Sequence, residues 1–109
     1  MGDIDIVDKI YSINEIEEKS KEIFKENNVL KAYLFGSYAY GNPGGKSDID
    51  IALDTGGKIS FLRVCGVMEE LSQIFEKNID IFDFREIEQN SDIMNEITQR
   101  GVLLYEAQR

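Results

Sequence analysis

From Val29 to Phe35 the chain is an almost unbroken apolar run, and it stops at Gly36. A run of that length predicts a strand buried on both faces. Such a strand must be covered on two sides, so it belongs at the centre of a sheet with other elements packed against it.

The flanking segments supply those elements. Ser12-Ile13-Asn14-Glu15 spells a capping box, in which a hydroxyl and a carboxylate close the first helical turn reciprocally. A helix follows with Ile13, Ile16, Ile23 and Phe24 on its apolar side, and Asn27-Asn28 is a suitable stop. Residues Tyr40 to Ser47 include Gly41, Asn42, Pro43, Gly44 and Gly45, which is loop composition. From Ser47 to Leu53 the pattern alternates: Ile49, Ile51 and Leu53 share one face, and Asp48, Asp50 and Ala52 the other. After Gly56-Gly57 a helix is predicted from about Ser60 to Lys77, with Phe61, Cys65, Met68, Leu71 and Phe75 as its apolar stripe. Ile79 to Phe84 alternates as a third strand. Ser91 to Arg100 reads as a helix with Ile93, Met94 and Ile97, stopped by Gly101, and Val102 to Tyr105 as a last short strand. The expectation is an α/β (α+β) domain, a small mixed sheet with helices packed on it. A helical segment over about 1–28 precedes a core over about 29–105.

Composition narrows the chemistry. A chain of 109 residues is one domain. A single Cys cannot form an internal disulfide or a Cys-based zinc site. With no His, Ser-His-Asp and Cys-His triads and histidine bases are excluded. What remains is carboxylates, hydroxyls, amines, or a metal held by oxygen. The net charge of −9 repels phosphate backbones, so direct nucleic-acid binding is not expected. A nucleotide can still bind if divalent cations bridge the like charges, and a basic protein can dock. No apolar run approaches the ~18–20 residues of a membrane span. The N-terminus has no signal-peptide pattern, so a cytoplasmic location without membrane contact is expected.

Three constellations compete for function. Asp48 and Asp50 lie two apart on a strand and so face the same way. Side by side they repel, and a divalent cation such as Mg²⁺, which prefers carboxylate oxygen, relieves that repulsion. Asp80, mid-strand, supplies a third carboxylate if its strand lies next door. The pair also suits a solvated sheet face, and Asp3-Ile4-Asp5, with the same local spelling, reads as surface. Second, Gly36-Ser37 directly after a buried strand offers backbone N–H groups and a hydroxyl to an anion, or is a plain strand-ending turn. Third, Gly45-Lys46-Ser47 imitates the end of a phosphate-cradling P-loop. That motif requires Gly where Tyr40 stands and a helix where a strand is predicted, so the P-loop reading is rejected.

Gly36-Ser37, ten intervening residues, Asp48-Ile49-Asp50 and the later Asp80 together resemble the signature of the nucleotidyltransferase superfamily typified by DNA polymerase beta. The stretches Leu34 to Gly41 and Ser47 to Ala52 carry the likeness. The small size points to the minimal nucleotidyltransferase (MNT) family. The resemblance implies that Gly36 and Ser37 bind the outer phosphates of ATP, with Lys46 among the nucleotide-binding residues. It implies that Asp48, Asp50 and Asp80 hold two Mg²⁺ ions and carry the catalysis, with Asp80 also a candidate base. AMP would pass to an acceptor hydroxyl, with pyrophosphate released.

Many relatives carry Arg immediately after the Gly-Ser pair, where this chain has Tyr38. Lys46 in the glycine-rich loop and Arg63 on the long helix are candidates to compensate. Tyr33, Tyr38 and Tyr40 could stack on adenine, but core packing is the preferred reading. Larger relatives add domains that bind the acceptor. Stand-alone members resemble antitoxins that adenylylate a tyrosine of a HEPN ribonuclease toxin, which makes such a toxin the expected partner. Two alternatives are a catalytically silent antitoxin or regulatory module acting by binding alone, and a catalytic subunit modifying a small-molecule hydroxyl beside a separate acceptor-binding subunit.

Overall fold

The computed structural model describes residues 8–88 and 91–108, which leaves Asp3-Ile4-Asp5 outside the described residues. In chain order the elements are α1 (Ile13–Glu26), β1 (Lys31–Phe35), α2 (Ser37–Tyr40), β2 (Ile49–Asp54), α3 (Phe61–Phe75), β3 (Ile79–Asp83), a 3₁₀ turn (Phe84–Glu86), α4 (Asp92–Arg100) and β4 (Val102–Glu106). The capping box forms as the sequence predicts. Ser12 N–H donates to Glu15 Oε1 at 2.9 Å, and Glu15 N–H donates to Ser12 Oγ at 3.1 Å.

The four strands lie in the order β3-β2-β1-β4. β1 is antiparallel to both its neighbours, and β2 runs parallel to β3. A parallel pair cannot be joined by a tight turn, so α3 serves as the crossover between them. The sheet is therefore mixed, and β1 is central, as its apolar run requires.

The two faces of the sheet differ. On the first, Ile49, Ile51 and Leu53 of β2 and Ala32 and Leu34 of β1 are fully buried under Ile16, Ile23 and Phe24 of α1 and Val67, Leu71 and Phe75 of α3. On the second, Phe35, Ala52 and Ile97 form a smaller core, edged by Tyr33, Phe82, Phe84 and Ile87. α4 thus covers part of this face only. Among the described residues no helix is long and apolar enough to cross a membrane.

Three local expectations need correction. The buried stripe of α3 is Val64, Val67, Leu71 and Phe75, whereas Phe61 is 73% and Met68 37% exposed. Both stripes have three- and four-residue spacing, so periodicity alone could not choose between them. On α4, Met94 and Ile97 are buried but Ile93 is exposed. The predicted loop from Tyr40 instead starts one residue later. Ser37 to Tyr40 form a single helical turn that Gly41 ends with φ +86°, a conformation that favours glycine.

Candidate active site

β1 delivers the chain to Gly36, whose φ of +73° lies in the region that side chains avoid. A Cβ there would also run into Oδ2 of Asp50. Glycine is therefore favoured by the backbone, and any larger residue would have to push the Asp50 carboxylate aside. The turn is closed by Ala39 and Tyr40 N–H donating to Gly36 C=O at 3.0 and 3.1 Å. Ser37, the next residue, opens α2.

Asp50 sits where three strands meet in register. It lies opposite Phe35 of β1 and opposite Asp80 of β3. In-register residues of neighbouring strands face the same way, so Asp50 and Asp80 emerge together on the partly covered face. Ala52 and Phe82, two residues further along, fall under the α4 cover. The second face is thus divided lengthwise into a sealed apolar half and an open half lined by carboxylates.

The electrostatics follow from that crowding. Burial first, then a hydrogen bond shared with Asp80, then the negative charges of Asp80, Asp48 and Glu96, push Asp50 up to about 7. Asp48 is exposed, two residues earlier and just before β2. Among the described residues, no group of three or more Asp, Glu, Cys or His side chains is placed to hold a metal ion. The donor set still suits Mg²⁺, which characteristically takes one or two carboxylates and completes its shell with water and substrate phosphates. An all-oxygen group that resists losing its proton is the environment a divalent cation relieves.

The glycine-rich loop that precedes Asp48 is pinned. Gly44 N–H donates to Ser47 Oγ at 2.8 Å, and the buried Lys77 donates from Nζ to Gly45 C=O at 2.6 Å. Lys77 lies three residues before Asp80, so one side chain ties this loop to the entry of β3. The strand after Ser47 is real, which agrees with rejecting the P-loop. Lys46 is exposed on the loop, and among the described residues it makes no hydrogen bond or ion pair.

Arg63 does not reach this site. It lies in the first turn of α3, after the far end of β2, and donates from Nη1 to Asn27 Oδ1 at 3.2 Å. The tyrosines mostly pack, as preferred. Tyr38 is buried, and Tyr33 stacks on Phe84 with centroids 5.4 Å apart. Tyr40 is different: the Arg100 guanidinium lies over its ring, 3.6 Å from the centroid. Its hydroxyl sits beside the Glu96 carboxylate without the geometry of a full hydrogen bond, and burial followed by that carboxylate raises its pKa. Glu96, Arg100 and Lys77 were not marked by the sequence. The i, i+4 spacing of Glu96 and Arg100 beside the apolar Ile97 was legible, but the sheet face that α4 covers was not.

A glycine-serine turn at the end of a central strand, beside carboxylates aligned on two adjoining strands, defines the nucleotidyltransferase class. The chain belongs to the polymerase beta nucleotidyltransferase family, whose pattern it matches over residues 18–109, and within it is a minimal nucleotidyltransferase. MJ0435 of Methanocaldococcus jannaschii, provisionally named a protein adenylyltransferase, is 34% identical over 76 residues, 70% of this chain and 82% of that one. MJ0126 of the same organism, with the same provisional name, is 37% identical over 70 residues, 63% of this chain and 71% of that one. Solved structures share the fold. A toxin–antitoxin structure with AMP-PNP aligns with a TM-score of 0.72 at 24% identity, over 84% of this chain and 74% of that one. A complex of a tri-AMPylated Shewanella oneidensis HEPN toxin with an MNT antitoxin aligns at 0.67 and 21% identity, over 87% and 73%.

Proposed function

We propose that this chain is a Mg²⁺-dependent protein adenylyltransferase that transfers AMP from ATP to a tyrosine hydroxyl of a HEPN-type ribonuclease toxin and so acts as its antitoxin. The observation that carries the reading is the in-register Asp50–Asp80 pair set against the Gly36-Ser37 turn. The names of the curated relatives support protein as the acceptor. The toxin–antitoxin complexes that share the fold support the partner. The net charge of −9 would complement a basic, RNA-cleaving protein. The reading places the chain in the cytoplasm, with ATP and the toxin.

Each residue then has a task. The Gly36 N–H and the Ser37 hydroxyl bind the outer phosphates, and Lys46 adds a cation from the loop. Asp48, Asp50 and Asp80 would hold Mg²⁺, which when bound neutralises the triphosphate and favours ionisation of the acceptor hydroxyl. The acceptor oxygen forms a bond to the α-phosphorus as the bond to the bridging oxygen breaks, and pyrophosphate leaves with that electron pair. Asp80 accepts the hydroxyl proton, since the chain has no histidine to do so. The products are an AMP ester of the acceptor and pyrophosphate.

The test incubates the protein with Mg²⁺, ATP labelled at the α-phosphate, and lysate of the source organism, with Asp48→Asn as control. A labelled protein band seen only with wild type is expected, and its mass leads to the acceptor. Label confined to small molecules would overturn the protein acceptor in favour of a subunit modifying a small-molecule hydroxyl. A bound toxin that is never labelled would leave a module acting by binding alone.

A further inference from the structure

The site needs positive charge that its Gly-Ser turn does not supply. Tyr38, the residue after the pair, is buried in the core, and Arg63 is tied to Asn27 at the far end of the sheet. A cation does stand close by, on an element that the motif does not include. Arg100 ends α4 with its guanidinium 3.6 Å from the centre of the Tyr40 ring. Tyr40 belongs to the same helical turn as Ser37. Its hydroxyl feels the charges of Glu96, Arg100 and Asp50 together. Tyr40 N–H also donates to Gly36 C=O at 3.1 Å, and Gly36 lies against the Asp50 carboxylate, so the ring under Arg100 belongs to the turn beside Asp50.

Arg100 is exposed, and among the described residues it makes no ion pair, although Glu96 lies four residues before it on the same helix. Stacking on an aromatic ring fixes the plane of a guanidinium and leaves its N–H edge open, the geometry that binds phosphate oxygens bidentately. In a chain of net charge −9, a guanidinium held on the turn that carries Ser37 and without an ion-pair partner among the described residues is a ready anion ligand.

We propose that Arg100, held in plane by the Tyr40 ring, binds the β- and γ-phosphates of the nucleotide and replaces the cation absent after Ser37. The assignment rests on the nucleotidyl-transfer reading and adds to it a phosphate ligand from α4. The ring, rather than the hydroxyl, of Tyr40 does the positioning.

Equilibrium binding of ATP and of AMP, each with Mg²⁺, tests it on the full chain and on Arg100→Gln, Arg100→Lys, Tyr40→Phe and Tyr40→Leu, with melting curves to verify folding. Arg100→Gln is expected to weaken ATP by roughly tenfold or more and AMP by less than about twofold, because AMP lacks the contacted phosphates. Arg100→Lys should fall between, keeping charge without the fork. Tyr40→Phe should bind like wild type, and Tyr40→Leu should approach Arg100→Gln. Undiminished ATP binding by Arg100→Gln overturns the proposal, as does equal loss for ATP and AMP. If Arg100→Gln fails to fold, Arg100→Lys and Tyr40→Leu decide by the same ATP-to-AMP comparison. If folded wild type binds no ATP, the nucleotide reading itself fails, a result distinct from loss in the variants alone.

Discussion

Asp50 has a predicted cost as well as a role. Its carboxyl holds a proton up to about pH 7 in the folded chain, far above an ordinary aspartate. The folded state therefore binds that proton more tightly than the unfolded one, so stability is lost as pH rises from about 4 to about 7. Asp50→Asn removes this loss. The metal-free variant is expected to melt above wild type at neutral pH and to converge with it near pH 4. Melting curves across that range check the sign, and a variant less stable at every pH would refute it. The same substitution should abolish AMP transfer, the usual opposition of stability and activity. Gly36 makes a second residue-scale case. Gly36→Ala places a Cβ on the Asp50 carboxylate at a positive φ. It is expected to lower stability by roughly 1–3 kcal/mol and to remove activity, read by denaturant titration and transfer assay.

At the scale of elements, Lys77 links two pieces of the site that are 32 residues apart in sequence. Lys77→Met keeps the buried stem but leaves the Gly45 carbonyl without its donor. The expected effect is a loss of about 1–3 kcal/mol, with hydrogen exchange accelerated first in residues 41–48. Exchange in that loop equal to wild type would refute the anchoring role. Nothing in the sequence marked Lys77, because a lysine after an amphipathic helix reads as solvated surface. The same limit explains α3. Phe61-Cys65-Met68 and Val64-Val67-Leu71 have compatible helical spacing, and only the crossover onto β2 and β3 selects the second. Features set by local chemistry, such as the Ser12–Glu15 box and the alternation of Ile49, Ile51 and Leu53, were fully legible. The places of Gly36 at the end of a strand and of Asp50 and Asp80 on strands were legible too, while the pairing of those two strands was only a condition in the sequence and is supplied by the fold. Glu96 and Arg100 depend on which sheet face α4 covers, and a one-dimensional pattern does not encode that choice.

On the scale of the whole molecule, the fold concentrates its repulsion at one place. One sheet face is sealed by α1 and α3, while the other is sealed over half its length and leaves the acids at the open end. The acids alone do not make a metal cage, since among the described residues no group of three or more is placed to hold a metal ion. A triphosphate alone meets a surface of net charge −9. On the proposed reading each ligand lacks what the other brings: Mg²⁺ lacks phosphate oxygens to complete its shell, and ATP lacks a cation to bridge it to Asp50 and Asp80. Their binding should be strongly coupled, and by reciprocity each should raise the affinity of the other by the same factor. Since ligands that bind only the folded chain raise its melting temperature, the coupling is visible without catalysis. Mg²⁺ alone and ATP with a chelator should each shift the melting temperature little, and the two together by more than the sum. Asp50→Asn should abolish the excess while the protein stays folded. A full shift by ATP in the presence of chelator would show that the acids do not act through a bridging cation.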